Sequence, residues 1–143
     1  MADLKVKKII IGIDVGVHTG VSIYNRKTES LILVSSMKIH EAIKLVSKQF
    51  AAHGAEVYIR VEDARKRQWF GNSGREKLQG AGSVKRDSGI WEDFLNDLGV
   101  DFEMVAPKNN RTKMSAEYFK KYTGYLLRTN EHGRDAAMLV YQF

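Results

Sequence analysis

Residues 7–14, Lys-Lys-Ile-Ile-Ile-Gly-Ile-Asp, are the most restrictive stretch of the chain. Ile9, Ile10, Ile11 and Ile13 put apolar side chains on both faces of an extended backbone, leaving neither face for water. A strand of that kind belongs in the middle of a sheet covered on both sides. It ends in Asp14, a carboxylate closing a buried strand, where an unpaired charge is costly. Gly16 and Gly20 suit a tight turn, after which residues 21–25 (Val-Ser-Ile-Tyr-Asn) read as a returning strand. A polar turn over residues 25–28 leads to a third strand over residues 31–35, completing an antiparallel meander.

The rest of the chain changes period. Ile39, Ile43, Val46 and Phe50 line one face of a helix over residues 39–52, stopped by Gly54. Val57, Ile59 and Val61 alternate with Tyr58 and Arg60, giving a fourth strand that also runs into acid, Glu62-Asp63. Residues 65–73 are polar and basic with Trp69 and Phe70 in their midst, which reads as a loop with exposed aromatics. A helix over residues 74–98 follows, with Ile90, Trp91, Phe94, Leu95 and Leu98 on one side. Its Gly80-Ala81-Gly82-Ser83 stretch costs about 1 kcal/mol per glycine relative to alanine, and small residues there suit a close backbone approach. A fifth strand over residues 100–106 is closed by Pro107. Met114, Tyr118 and Tyr122 mark a short helix ended by Gly124, and a last helix runs from Glu131 towards Phe143. The order β-β-β-α-β-α-β-α-α predicts an α/β fold: a mixed five-stranded sheet, antiparallel meander plus parallel strands, flanked by helices.

At 143 residues, 43% hydrophobic and 28% charged, this is one domain with a packed core. The absence of cysteine excludes a disulfide scaffold, thiolate-held metal and a cysteine nucleophile. No apolar stretch is long enough for a bilayer. The opening Met-Ala-Asp-Leu-Lys has no signal-peptide core, so a cytoplasmic location is expected. Lys and Arg number 23 against 17 Asp and Glu, a net +6, which favours a polyanionic partner, nucleic acid first.

Two carboxylates therefore end strands. Alone, Asp14 also suits a turn, bonding the backbone that follows it, and Glu62 also suits an ion pair with Arg60, Arg65 or Lys66. A third acid sits in His132-Gly-Arg-Asp135, where helical spacing points His132 and Asp135 the same way. Ala136 and Ala137 are small enough to let that helix lie close on a sheet. If the three acids converge, their repulsion calls for cations. Oxygen donors with at most one imidazole suit Mg²⁺ or Mn²⁺. Two such ions about 3.5–4 Å apart clamp both oxygens of an in-line phosphoryl displacement, and a basic protein with that site reads as a nuclease.

Taken together, these motifs resemble those of the RuvC-type Holliday junction resolvases, within the RNase H-like nucleases. Residues 9–16 with Thr19-Gly20-Val21-Ser22 resemble the family's first strand and turn, Val61-Glu62-Asp63-Ala64 its second acidic motif, and residues 132–137 the motif on its last helix. The resemblance implies a dimeric Mg²⁺-dependent endonuclease, with Mn²⁺ as a substitute and two ions per site. Its substrate would be branched DNA, above all four-way junctions, nicked symmetrically to leave 5′-phosphate and 3′-hydroxyl ends. It implies Asp14, Glu62 and Asp135 as metal ligands. Many members carry aspartate where this chain has His132, which is left as either a ligand or a base for the attacking water. Glu62 is preferred to Asp63, which the pleat turns elsewhere. The family's dimer helix corresponds to residues 74–98, where Trp91 and Phe94 suit either an interface or the chain's own core.

Beside Glu62, Arg65, Lys66, Arg67, Arg75, Lys77, Lys85 and Arg86 offer phosphate contacts. Trp69 and Phe70 offer stacking on an unpaired base, and Lys108, Arg111 and Lys113 add charge before the penultimate helix. Three other readings remain: a YqgF-like nuclease acting on structured RNA, an ATPase with an actin-type phosphate hairpin (for which the chain is short), and a catalytically silent nucleic-acid binder.

Overall fold

The computed structural model describes residues 3–66 and 75–143, the side chains of 75–81 excepted. Five strands, β1 (Ile9–Asp14), β2 (His18–Asn25), β3 (Ser30–Lys38), β4 (Val57–Glu62) and β5 (Asp101–Val105), form one sheet in the order β3-β2-β1-β4-β5. The meander β1-β2-β3 is antiparallel, and β4 and β5 add parallel strands beside β1. Four α-helices, α1 (Ile39–His53), α2 (Arg75–Leu98), α3 (Ala116–Thr123) and α4 (Glu131–Met138), flank it. This is the mixed, helix-flanked sheet that the sequence predicts, with β1 at its centre.

The two pleats of β1 divide the core. Ile9, Ile11 and Ile13 join Val57, Ile59 and Val61 under α1 and α2, where Ala42, Val46, Trp91 and Leu95 cover them. On the opposite face Ile10 meets Tyr24, Tyr58, Leu139 and Val140, while Val34 packs on Met114, Phe119 and Ala137. That second face carries the shorter helices α3 and α4.

Two expectations need correction. The last helix ends at Met138 rather than running towards Phe143. Tighter turns follow, and Arg60 donates to the Leu139 carbonyl while Phe143 stacks on Tyr58, which draws the end of the chain onto the sheet. Met114 lies before its helix, which starts behind Ser115, whose hydroxyl accepts the Tyr118 N–H. Of the two uses open to Trp91 and Phe94, Trp91 is 1% exposed inside the chain's own core, and Phe94 is half-buried and packs against that core. The Gly80–Ser83 stretch is helical throughout, and a Cβ at Gly82 would meet nothing within 4 Å.

Candidate active site

The parallel register of β1 and β4 sets Asp14 opposite Glu62 at the C-terminal ends of both strands. Alternation puts both on the α4 face and turns Asp63 to the other side. There Asp63 is buried and bound twice by the Arg65 guanidinium at 2.8 Å and once by its backbone N–H. Burial pushes the Asp63 carboxyl up, but those hydrogen bonds prevail and hold it below its ordinary range. Asp63 is thereby committed to a structural ion pair.

The third element reaches the site because α4 lies at backbone distance from the sheet. A Cβ on Gly12 would come within 2.2 Å of the Ala136 carbonyl oxygen, and one on Gly20 within 2.0 Å of that of His132. From the helix side, a Cβ on Gly133 would stand 2.9 Å from the Ser35 nitrogen. A glycine at each of these three contacts is what admits so short a separation. Asn130 fixes the start of the helix by accepting the Gly133 N–H at 2.8 Å and donating to Ser36 at 2.9 Å. His132 and Asp135, one turn apart, then both reach the end of β1. His132 Nδ1 is 3.1 Å from Asp14 Oδ2, and the Asp135 carboxylate is close enough to act on Asp14 electrostatically.

The loop after β5 closes the arrangement. Asn110 donates from Nδ2 to Glu62 Oε2 at 2.8 Å and to the Asp135 carbonyl at 3.1 Å, so it bridges β4 and α4. Its Oδ1 is buried without a hydrogen-bond partner. Lys113 donates its N–H to Asp135 Oδ1 at 2.8 Å from a left-handed backbone, φ 59°. For a non-glycine residue that conformation costs on the order of 1 kcal/mol, a strain carried next to the carboxylates. Neither Asn110 nor His18, whose ring stacks on His132 at 6.3 Å, was singled out by sequence. The available signal was position: residues just past a strand's carboxyl end in an open α/β sheet face the ligand crevice.

The cluster is electrostatically unfavourable to itself. The Asp14 side chain is only 14% exposed. Its carboxyl is pushed up to about 7, first by burial, against the His132 hydrogen bond, and further by the charges of Glu62 and Asp135. Burial likewise raises Asp135, against the Lys113 amide bond. Arg60, Arg65 and Lys66 each bind groups outside the cluster. Arg60 binds Glu103 at 2.6 Å, Arg65 binds Asp63 and Glu92, and Lys66 donates to the Met104 carbonyl.

Among the described residues, no three His, Asp or Glu side chains are grouped so as to hold a metal ion as they stand. Asp135 faces the Lys113 amide, Glu62 faces Asn110 and Asp14 faces His132. The donor chemistry nevertheless fits a hard divalent cation: three carboxylates and one imidazole in a site with an excess of negative charge, beside a buried, unpartnered amide oxygen.

Of the other predicted contacts, Arg67, Trp69 and Phe70 lie outside the described residues, as do the side chains of Arg75 and Lys77. Lys85 and Arg86 are exposed on α2, and Lys108 and Lys113 are exposed on the loop that borders the carboxylates. No helix among the described residues is long and apolar enough to cross a membrane.

No protein-family model matches the sequence, and no curated protein matches it. Among solved structures, the chain is similar to the RuvC of T. thermophilus in complex with a Holliday junction substrate. The TM-score is 0.59 at 15% identity, over 92% of this chain and 89% of that one. At that identity the likeness is one of fold, and the fold is RNase H-like.

Proposed function

We propose that the chain is a divalent-metal-dependent endonuclease that cuts branched DNA, four-way junctions foremost, as a homodimer. The observation that carries this reading is the convergence of Asp14, Glu62 and Asp135, from β1, β4 and α4, with burial and mutual repulsion raising the Asp14 carboxyl to about 7. The cluster stands at the carboxyl ends of the central strands, in a net-positive chain whose fold is shared with a junction-bound RuvC.

Asp14, Glu62 and Asp135 would hold the cations, Mg²⁺ or Mn²⁺ and two per site, with His132 at their edge. Bound there, the ions would supply the Lewis acidity that polarises a phosphodiester and acidifies a water. Glu62 accepts from the Asn110 amide and Asp135 from the Lys113 amide, which ties both carboxylates to the loop after β5. His132 keeps Nδ1 on Asp14, leaving Nε2 as the nitrogen that accepts a proton from the attacking water. Lys108 and Lys113 beside the site, with Lys85 and Arg86 on α2, hold phosphates without reading bases. The assignments of Arg65, Lys66, Arg67, Trp69, Phe70, Arg75 and Lys77 to DNA contact rest on the motif resemblance alone. Pairing of two copies through residues 74–98 rests on the outward strip of α2, where Ile90 is 48% exposed and Gly82 opens on free space.

The deciding experiment is incubation of the protein with a synthetic four-way DNA junction in Mg²⁺, in Mn²⁺ and in EDTA. Paired nicks in either metal and none in EDTA are expected. Cutting of structured RNA in place of the junction would favour the YqgF-like reading, and junction binding without cutting in either metal would favour a silent binder.

A further inference from the structure

The outer face of α3 carries a feature that the carboxylate chemistry does not use. Tyr118 and Tyr122 stand four residues apart, on one side of the helix. Their rings are stacked at 6.1 Å between centroids and 8° between planes. The Arg111 guanidinium lies 5.0 Å from the centroid of Tyr118 and 5.9 Å from that of Tyr122. Both tyrosines are substantially open, at 45% and 42% exposure. Phe119, between them in sequence, is buried and anchors α3 to the core. The exposed pair is therefore not what fastens the helix.

The ladder is braced at one end and open at the other. Tyr141 meets Tyr122 edge-on at 5.4 Å and donates its hydroxyl to the Tyr122 carbonyl, and Tyr24 meets Tyr141 edge-on at 5.9 Å. Tyr118 thus ends a row of rings that starts at the sheet. A row ordered in advance loses little freedom when another planar group is added to it.

We propose that Arg111, Tyr118 and Tyr122 form a stacking platform for an unpaired base of the DNA strand held at the carboxylates; this rests on the nuclease reading and adds to it a source of selectivity for branched DNA. The loop over residues 110–113 touches both places: Asn110 binds Glu62, Lys113 binds Asp135, and Arg111 between them lies beside the tyrosine pair. Lys113, Lys120 and Lys121 are exposed around the platform and supply the charge that a phosphate backbone needs. Every base has a π-face that aromatic rings and guanidinium planes accept, so such a platform tolerates any sequence. A continuous duplex keeps its bases stacked on one another. A strand opened at a branch point does not, and the platform takes the base that the branch has freed.

The test measures binding with Asp14→Asn as the uncut background, using a four-way junction and a duplex of the same sequence. Each carries 2-aminopurine at the nucleotides next to the branch position. Adding Tyr118→Ala is expected to weaken junction binding roughly five- to hundredfold, the range of one base–aromatic stack. Duplex binding and the salt slope should stay as they were, since no charge is removed. The 2-aminopurine quenching seen on junction binding should vanish with Tyr118→Ala and persist with Tyr118→Phe, which keeps the ring. Unchanged junction affinity and quenching in Tyr118→Ala, an equal loss on junction and duplex, or no junction binding in the background protein would each overturn the platform. The nuclease reading stands or falls separately, on cutting by the wild type. A wild type that binds but does not cut, yet shows the Tyr118 effect, would keep the platform and remove the hydrolysis.

Discussion

Asp14→Asn separates a carboxylate kept for chemistry from one kept for structure, because the two roles predict opposite signs. Moving the Asp14 carboxyl from 3.8 to about 7 on folding makes its ionised form destabilising to the folded chain by about 4 kcal/mol at most. The amide keeps a hydrogen-bond acceptor for His132 but gives up the ionic part of that contact. A net gain of about 2 kcal/mol in metal-free buffer is therefore the working figure. The pH dependence follows from the raised folded value. Below pH 4 the carboxyl is protonated whether the chain is folded or not, and the variant has no advantage. From pH 4 to 7 the wild type loses stability as its unfolded form releases the proton and its folded form keeps it, so the variant's lead grows. Above pH 7 the lead is constant. Urea unfolding in EDTA from pH 4 to 9 measures this directly. In Mg²⁺ the order should reverse its trend, since a ligand at a hundred times its dissociation constant stabilises by about 2.7 kcal/mol and the amide binds the ion less well. Metal-dependent cutting of the junction should be lost throughout. A variant less stable than the wild type at pH 8 in EDTA would make Asp14 a turn residue, and a variant that still cuts would remove the site.

Three further outcomes follow from the same geometry. Gly20→Ala drives a methyl to 2.0 Å from the His132 carbonyl; it should cost at least about 2 kcal/mol in urea unfolding and abolish cutting, and a normally stable, active variant would contradict the seating of α4. Asn110→Ala removes the donor that bridges Glu62 and α4; cutting should fall roughly tenfold to a hundredfold while junction affinity in EDTA is retained, and unchanged rates would show the bridge to be idle. Ile90→Glu on the outward strip of α2 should convert a sedimenting dimer to a monomer with little change in thermal unfolding, and a wild type that sediments as a monomer would remove the pairing through α2.

What the sequence disclosed was periodicity. The alternation that lets Ile9, Ile11 and Ile13 fill one face places Asp14 on the other, and the same parity in β4 selects Glu62 over Asp63. Asp63 follows the strand directly, and its burial against Arg65 shows the structural use that the pattern did not give. The small residues of α4 were legible as permission for a close approach, but their partners were not. That Gly12 lies under Ala136 and Gly20 under His132 depends on register across three elements. Asn110 was illegible for a related reason, since its contact with Glu62 spans 48 positions and an asparagine in a post-strand loop has many local uses. The end of α4 was misjudged because its continuation is apolar at helical spacing. Tertiary bonds from Arg60 and the stacking of Phe143 on Tyr58 outweigh that local pattern.

The arrangement is hard to account for as scaffold alone. Gly12 and Gly20 bring α4 down onto the strands, and the effect is to press Asp135 and His132 towards Asp14 and Glu62, where burial opposes the charge of Asp14 and Asp135. A neutral side chain at position 14 would satisfy the same backbone and the same histidine with several tenths to a few kcal/mol less opposition. A chain that only bound DNA would gain nothing from the carboxylate, since phosphates are repelled by it. A chain that collected divalent cations next to a phosphate, as proposed, would need that excess of negative charge, and would need it on strand ends and a seated helix rather than on loops, because the ions would have to keep a fixed spacing. The strained Lys113 and the bridging Asn110 belong to the same logic: each gives up local comfort, a left-handed backbone in one case and an unpartnered Oδ1 in the other, to hold a carboxylate in place.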